Sequence, residues 1–317
     1  MLDIGRSDYV QAVAFHPDGM HLLCGSDGGI RRWRLADGQE VGKQTGTKLR
    51  AISVSRDGKW VACGSREGGA SLWDAELHEK VVDVEGENSV YAVDVSPDST
   101  RLATGTGFGD YEASIWSITT GERLVGPLKH DRGVTGIRFS PNGERIATCS
   151  HGGSVCIFDS RNGDQLLDIK TDTASTRPIT PLVWSNDGQR IFTVSNDKRI
   201  RSFAASTGTQ LAESPILNNN YSIALAGNGR FISTVAMHTI SFLDTSTLVK
   251  IGTSIEDSER MWSIAISFDS SQIATGRADG KIIVHNLASF LPDSYSHSQV
   301  RNCLFIMLAC WKTTIPY

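Results

Sequence analysis

The ten residues from Val10, VQAVAFHPDG, return six more times along the chain. The copies read LRAISVSRDG, VYAVDVSPDS, VTGIRFSPNG, ITPLVWSNDG, NYSIALAGNG and MWSIAISFDS. Their turn residues are Asp18, Asp57, Asp98, Asn142, Asp187, Asn228 and Asp269, spaced 39 to 45 residues apart. A repeat of this period constrains the fold more than any composition does, because each copy must be one supersecondary unit that buries its apolar face against its neighbours.

Inside each copy the apolar register has period two. Five residues before the turn stands Val13, Ile52, Val93, Ile137, Leu182, Ile223 or Ile264. Three before it stands Phe15, Val54, Val95, Phe139, Trp184, Leu225 or Ile266, and four after it Leu22, Val61, Leu102, Ile146, Ile191, Ile232 or Ile273. Alternation about a Pro/Asp/Gly turn is the pattern of a β-hairpin. A third strand ends at Trp33, Trp73, Trp116, Phe158, Phe203, Leu243 or His285, and a fourth follows at Val41, Val81, Leu124, Leu166, Leu211 and Ile251. Seven such units without intervening helices predict an all-β chain, a seven-bladed β-propeller of four-stranded antiparallel blades. The glycine-rich GSDGG at 25–29 is then a strand-to-strand bend. It has neither the following helix nor the Gly-Lys-Ser/Thr triplet of a phosphate loop.

The quoted motifs resemble the WD-repeat family over about residues 9–287. GSDGGIRRWR is similar to that family's Ser-x-Asp…Trp segment, and SLWDA at 71–75 carries the Trp-Asp pair. The resemblance implies a His, Ser/Thr, Asp, Trp tetrad in each blade, and here it is eroded. Only His130 matches the His position, and its repeat has Gly152 and Phe158 where Asp and Trp would stand. The Asp position is kept as Asp27, Asp110, Asp197 and Asp279, with Glu67 in the second repeat. Blade rigidity is therefore expected to come mainly from packing.

A ring must also be closed. Beyond His285 the seventh repeat lacks a fourth strand, reading DSYSHS after Pro292, whereas Leu2 lies as far before Val10 as Val41 lies before Leu49. Leu2 and Ile4 are expected to supply the outer strand of blade 7, so that residues 1–296 form the propeller. The remainder, 297–317, carries the apolar run CLFIMLACW, read as cover for a blade edge or as non-native sequence.

Chemistry is sparse. A net charge of −4 and 21% charged residues give no global attraction to nucleic acid. The nine-residue apolar run is far short of the ~20 residues of a membrane span. No signal peptide is legible at MLDIGRSDYV, and six scattered cysteines fit a reducing compartment, cytoplasmic or nuclear. No His, Asp/Glu and Ser/Cys stand at a catalytic spacing, and no cofactor or metal is expected. Cys149, His151 and Cys156 offer three soft ligands, but zinc sites use four in tighter pairs. His16 fills a slot held by Ser in other copies and reads as a turn residue. Cys24 and Cys63, in register with Thr104, read as small packing residues. Arg32 stands where Leu72, Ile115 and Ile157 stand, which predicts loose packing on that face of blade 1.

The family resemblance also implies a partner-binding face, bearing the second-to-third and fourth-to-first strand loops. Positions flanking the first apolar residue of the inner strand point there. They concentrate Tyr9, Lys48, Arg50, Tyr91, Tyr221, Arg260 and Trp262 on blades 6, 7, 1, 2 and 3, against small or neutral residues on blades 4 and 5. Aromatic and Arg side chains dominate binding hot spots. The expected function is a non-catalytic protein-interaction scaffold. A ligand-binding or enzymatic propeller with a site at its channel mouth is the alternative.

Overall fold

The computed structural model describes residues 1–5, 9–42, 48–76, 79–107, 109–151, 153–170, 182–194, 197–217 and 222–296. Tyr221, Gly152 and the tail 297–317 lie outside them. The described strands form seven four-stranded antiparallel sheets. In blade 1 the order is Ala12–Phe15, His21–Ser26, Gly29–Arg34 and Glu40–Val41, from inner to outer. Blades 2 to 6 repeat this meander. Each inner strand also packs against the inner strands of both neighbouring blades, including blade 7 against blade 1, so the sheets run once around a ring.

Blade 7 draws on both ends of the described chain. Met261–Ile266, Gln272–Arg277 and Lys281–Asn286 are completed by Leu2–Asp3, with Leu2 opposite Ile282 and Asp3 opposite Lys281. Ile4 N–H donates to the Gly280 carbonyl at 2.9 Å. Leu2 and Ile4 are buried in one apolar cluster with Val10, Trp33, Ala274 and Ile282, which spans blades 7 and 1. The DSYS segment forms a short helix, Asp293–Ser296. Phe290, Leu291 and Tyr295 pack on the blade 6 core, and the Tyr295 hydroxyl donates to Asp244 at 2.9 Å.

Two recurrent devices hold the blades. The last residue but one of the second strand is glycine in four of them. A Cβ at Gly64, Gly105 or Gly276 would come within 2.6 Å of Val90, Val134 or Val10 of the following blade, and one at Gly25 within 3.3 Å of Leu49. At the hairpin turns, the hydroxyl of Ser55, Ser96, Ser140, Ser185 or Ser267 donates to the Asp or Asn two residues on and accepts the N–H five residues on.

Packing is not the whole account of rigidity. Arg101, Arg145 and Arg190, in one register of successive blades, donate to the carbonyls of Ser160, Ala205 and Thr245 in the next blade. Blade 1 has His21 in that register, and there Arg32 donates to the equivalent Ala75 carbonyl at 2.8 Å. The expected loose face is thus corrected: Arg32 fills the place of a packing aliphatic residue by spanning two blades. The eroded tetrad keeps an indole bond in blade 3, Trp116 Nε1 donating to Thr104 Oγ1 at 2.9 Å, while in blade 2 Trp73 Nε1 donates along its own strand to Ser71 Oγ at 2.9 Å. In blade 1, Trp33 Nε1 donates to Cys24 Sγ at 3.4 Å. The small-residue slot of Cys24 and Thr104 is therefore also an acceptor for the indole.

Candidate interaction face

In blades 2, 3, 4 and 7, backbone hydrogen bonds tie the start of the inner strand to the loop between the second and third strands. Arg66 N–H donates to the Lys48 carbonyl, Gly107 to Ser89, His151 to Gly133 and Ala278 to Arg260. This places Lys48, Arg50, Tyr91, Arg260 and Trp262 on one face, with the inner hairpin turns on the other.

The basic and aromatic side chains on this face are paired. The Arg50 guanidinium lies 4.5 Å from the Tyr91 ring centroid, joining blades 2 and 3. Tyr91 also meets His151 edge-on at 6.5 Å and lies over Gly107, where a Cβ would stand 2.5 Å from the ring. In blade 7 the Arg260 guanidinium is 3.8 Å from the Trp262 ring centroid. All four residues are half-buried. Tyr9 is 52% exposed, and Lys48 pairs with Glu67 at 2.7 Å in the open. Tyr221 lies outside the described residues. The face thus carries two cation–aromatic pairs, Arg50–Tyr91 and Arg260–Trp262, with Tyr9 and Lys48 on blade 1 and the entry to blade 2.

The eroded Asp positions serve this face structurally. Asp279 and Asp257 clamp the buried Arg277 guanidinium at 2.8 and 3.1 Å. Asp110 accepts from the Asn88 amide at 2.7 Å, and Asp27 lies 3.7 Å from Arg66. His130 packs edge-on against Phe158 at 5.8 Å, and burial pushes its imidazole down to about 4 against the opposing pull of Asp131 and Asp168. It is neutral at pH 7.

On the inner strands the ionisable pair is Asp94 with Arg138. Asp94 accepts from Ser53 Oγ at 3.1 Å and Phe139 N–H at 2.8 Å, and lies 3.8 Å from Arg138. Burial raises its carboxyl, opposed by Arg138 and these hydrogen bonds. Both oxygens are engaged in joining the inner strands of blades 2, 3 and 4. Cys149 and Cys156 do not converge. Cys149 lies opposite Val155 and Cys156 opposite Thr148, so alternation sends the two thiols to opposite faces of the sheet. Among the described residues the one group of His, Cys, Asp or Glu close enough to share an ion is elsewhere, at His16, Asp18 and His21 on the opposite side of the ring. Sequence reading passed over it because His16 was weighed only as a substitute for a turn serine. The spacing His-x-Asp-x-x-His was the available signal.

Among the described residues no helix is long and apolar enough to cross a membrane. Comparison with known proteins then fixes the family. The model of the family described as "IFT122 first beta-propeller" matches residues 9–286. Similar proteins include the intraflagellar transport protein 122 homolog of Danio rerio, 23% identical over 281 residues, and that of Mus musculus, 24% identical over 283. Either match covers 87% of this chain and 23% of the relative, so the chain spans about a quarter of their length. WD repeat-containing protein 1 of Rattus norvegicus is 26% identical over 226 residues, 66% of this chain and 36% of the relative. The chain therefore belongs to the IFT122 first β-propeller family and is a WD-repeat β-propeller.

Proposed function

We propose that the chain is a non-catalytic protein-interaction scaffold of the cytoplasm, binding a protein partner through Tyr9, Lys48, Arg50, Tyr91, Tyr221, Arg260 and Trp262. The observation that carries this reading is the pairing of Arg50 with Tyr91 and of Arg260 with Trp262 on one face, each half-buried. Such pairs present rigid, partly desolvated surface at small further entropy cost, the character of interface hot spots. A partner bearing carboxylates beside apolar side chains suits them. The names of the relatives support a place in an intraflagellar transport-type assembly.

The test is an affinity capture from the source cell, comparing the wild type with a Tyr91→Ala/Tyr221→Ala/Trp262→Ala variant of matching circular dichroism. Loss of specific proteins from the variant supports the face as the docking site. Identical captured sets refute it.

A further inference from the structure

The hairpin turn His16–His21, between the inner and second strands of blade 1, brings three ligand atoms together on the side of the ring away from the aromatic pairs. His16 Nδ1 is 3.0 Å and His21 Nδ1 2.6 Å from Asp18 Oδ2, and the three atoms all lie within 4.8 Å of one another. Ligands of a tetrahedral zinc ion, at about 2.0–2.1 Å from the metal, stand roughly 3.3 Å apart. The two imidazole–carboxylate separations, 3.0 and 2.6 Å, would each open by less than about one ångström to reach that geometry.

With neutral imidazoles in the tautomer that these contacts select, the cluster favours an ion over a simple hydrogen-bonded arrangement. His16 Nε2 is 2.8 Å from the Gly58 carbonyl, which only accepts, so Nε2 carries the proton. Asp18 N–H donates to His16 Nδ1 at 3.3 Å, so Nδ1 presents a lone pair. That lone pair faces Asp18 Oδ2, acceptor against acceptor. His21 Nδ1 is 2.6 Å from the same oxygen and 3.1 Å from Arg32 Nη2, and one nitrogen cannot both donate to the first and accept from the second. A cation among the three atoms removes the first conflict, and it removes the second once Arg32 Nη2 withdraws from His21 Nδ1.

The surroundings are those of a supported site. Ligating histidines usually give their second N–H to a backbone carbonyl, as His16 does across the blade boundary. Gly58 permits this approach, since a Cβ there would stand 2.8 Å from the imidazole. Asp18 Oδ1 accepts the N–H groups of Met20 and His21 at 2.7 and 3.1 Å, which turns Oδ2 toward the imidazoles.

We propose that His16 Nδ1, Asp18 Oδ2 and His21 Nδ1 form a site for a divalent transition-metal ion, Zn2+ by the character of its two-imidazole, one-carboxylate ligand set. A fourth position is left for water or for a side chain of a bound partner. Arg32 is the built-in competitor, its Nη2 3.6 Å from Asp18 Oδ2. Its Nη1 bond to the Ala75 carbonyl lets it stay anchored on blade 2 when Nη2 gives way.

Titration calorimetry with Zn2+ on the full chain, and Co2+ absorption spectra, test the site. The expected result is one ion bound per chain at micromolar concentration, weakened at least tenfold in His16→Gln and in His21→Gln. Arg32→Leu is expected to bind about tenfold more tightly, because a neighbouring cation is removed. Co2+ should give the d–d bands of a nitrogen/oxygen site without a thiolate charge-transfer band. Circular dichroism checks the fold of each variant, and Arg32→Leu keeps the test open if a histidine variant fails to fold. Absence of stoichiometric binding by both wild type and Arg32→Leu overturns the proposal. So does binding undiminished in folded His16→Gln and His21→Gln, or a thiolate band.

Discussion

Arg32 on the third strand of blade 1 donates to the carbonyl of Ala75 in blade 2 at 2.8 Å, occupying the station that second-strand arginines fill three times further round the ring. The same inter-blade bond is thus made from two different strands. What recurs is the carbonyl, two residues beyond Trp73, Phe158, Phe203 or Leu243 of the third strand, and not the sequence position of its donor.

These arginines should matter for stability. Arg101 donates to the Ser160 carbonyl and hydroxyl at 3.2 and 2.9 Å and to the Gly143 carbonyl at 2.8 Å. Arg101→Ala is expected to cost about 2–3 kcal/mol, since several charge-assisted bonds are lost together. Urea denaturation gives the value, and a cost below about 0.5 kcal/mol would show that packing alone carries this seam.

Close approach of blades makes a second prediction. Gly64→Ala would put a Cβ 2.6 Å from the Val90 carbonyl oxygen, a backbone atom that cannot rotate away. Destabilisation of about 1–3 kcal/mol is expected. Gly19→Ala is the contrast: its φ is +68° but nothing stands within 4 Å, so only backbone strain of about 1 kcal/mol applies. Thermal unfolding of the two variants separates crowding from strain.

His130 predicts an acid limb in the stability curve. Its folded pKa is depressed to about 4 by burial, below the unfolded value of 6.5. The unfolded chain therefore binds the proton first as pH falls, so the contribution of this group is present above pH 6.5 and is lost between 6.5 and about 4. The loss is at most about 3 kcal/mol. His130→Phe should flatten that interval in denaturant titrations run from pH 7 to pH 4. An unchanged slope would mean that the imidazole protonates without leaving its place.

Ring closure supplies a fourth prediction. Leu2 is 6% exposed within the cluster shared by blades 7 and 1. Leu2→Ala is expected to cost about 2–4 kcal/mol, the range for a buried leucine, although its strand is only two residues long. A neutral effect on the denaturation midpoint would show that the third strand of blade 7 tolerates a bare edge.

The blade plan was legible because it is written seven times, and a pattern that recurs in register outweighs any single ambiguous turn. The starts of the inner strands were legible for the same reason, which is how Arg50, Tyr91, Arg260 and Trp262 came to be grouped on one face. Their pairing was not, because the reach of a guanidinium across a ring depends on how adjacent blades are tilted. Arg32 was misread through its own register: its neighbours in other blades are aliphatic, and nothing along the chain announces the Ala75 carbonyl. The outer strands show the converse. Val81, Leu124, Leu166 and Leu211 read as apolar strand residues, and each side chain is about half exposed on the rim. Position along the strand was readable, but what covers a side chain depends on neighbours remote in sequence. His16 reads in the sequence as a turn residue, and although the spacing to Asp18 and His21 is visible there, their convergence follows from the turn's path.

The pairing of Leu2–Asp3 with Lys281–Asn286 also sets an order of events at the ribosome. Blade 1 can condense as soon as its hairpins emerge, but the segment ahead of it has no partner until almost the whole repeat array has been synthesised. The entropic cost of that wait is modest, because loop closure rises by only about 0.6 kcal/mol for each doubling of length. The cost in time is larger, since this contact joins residues some 280 positions apart, Leu2 and Ile282, and folding slows as contacts become less local. Until the strands of blade 7 are made, the blade 1 side of the cluster that Leu2 and Ile4 fill lacks its cover from them.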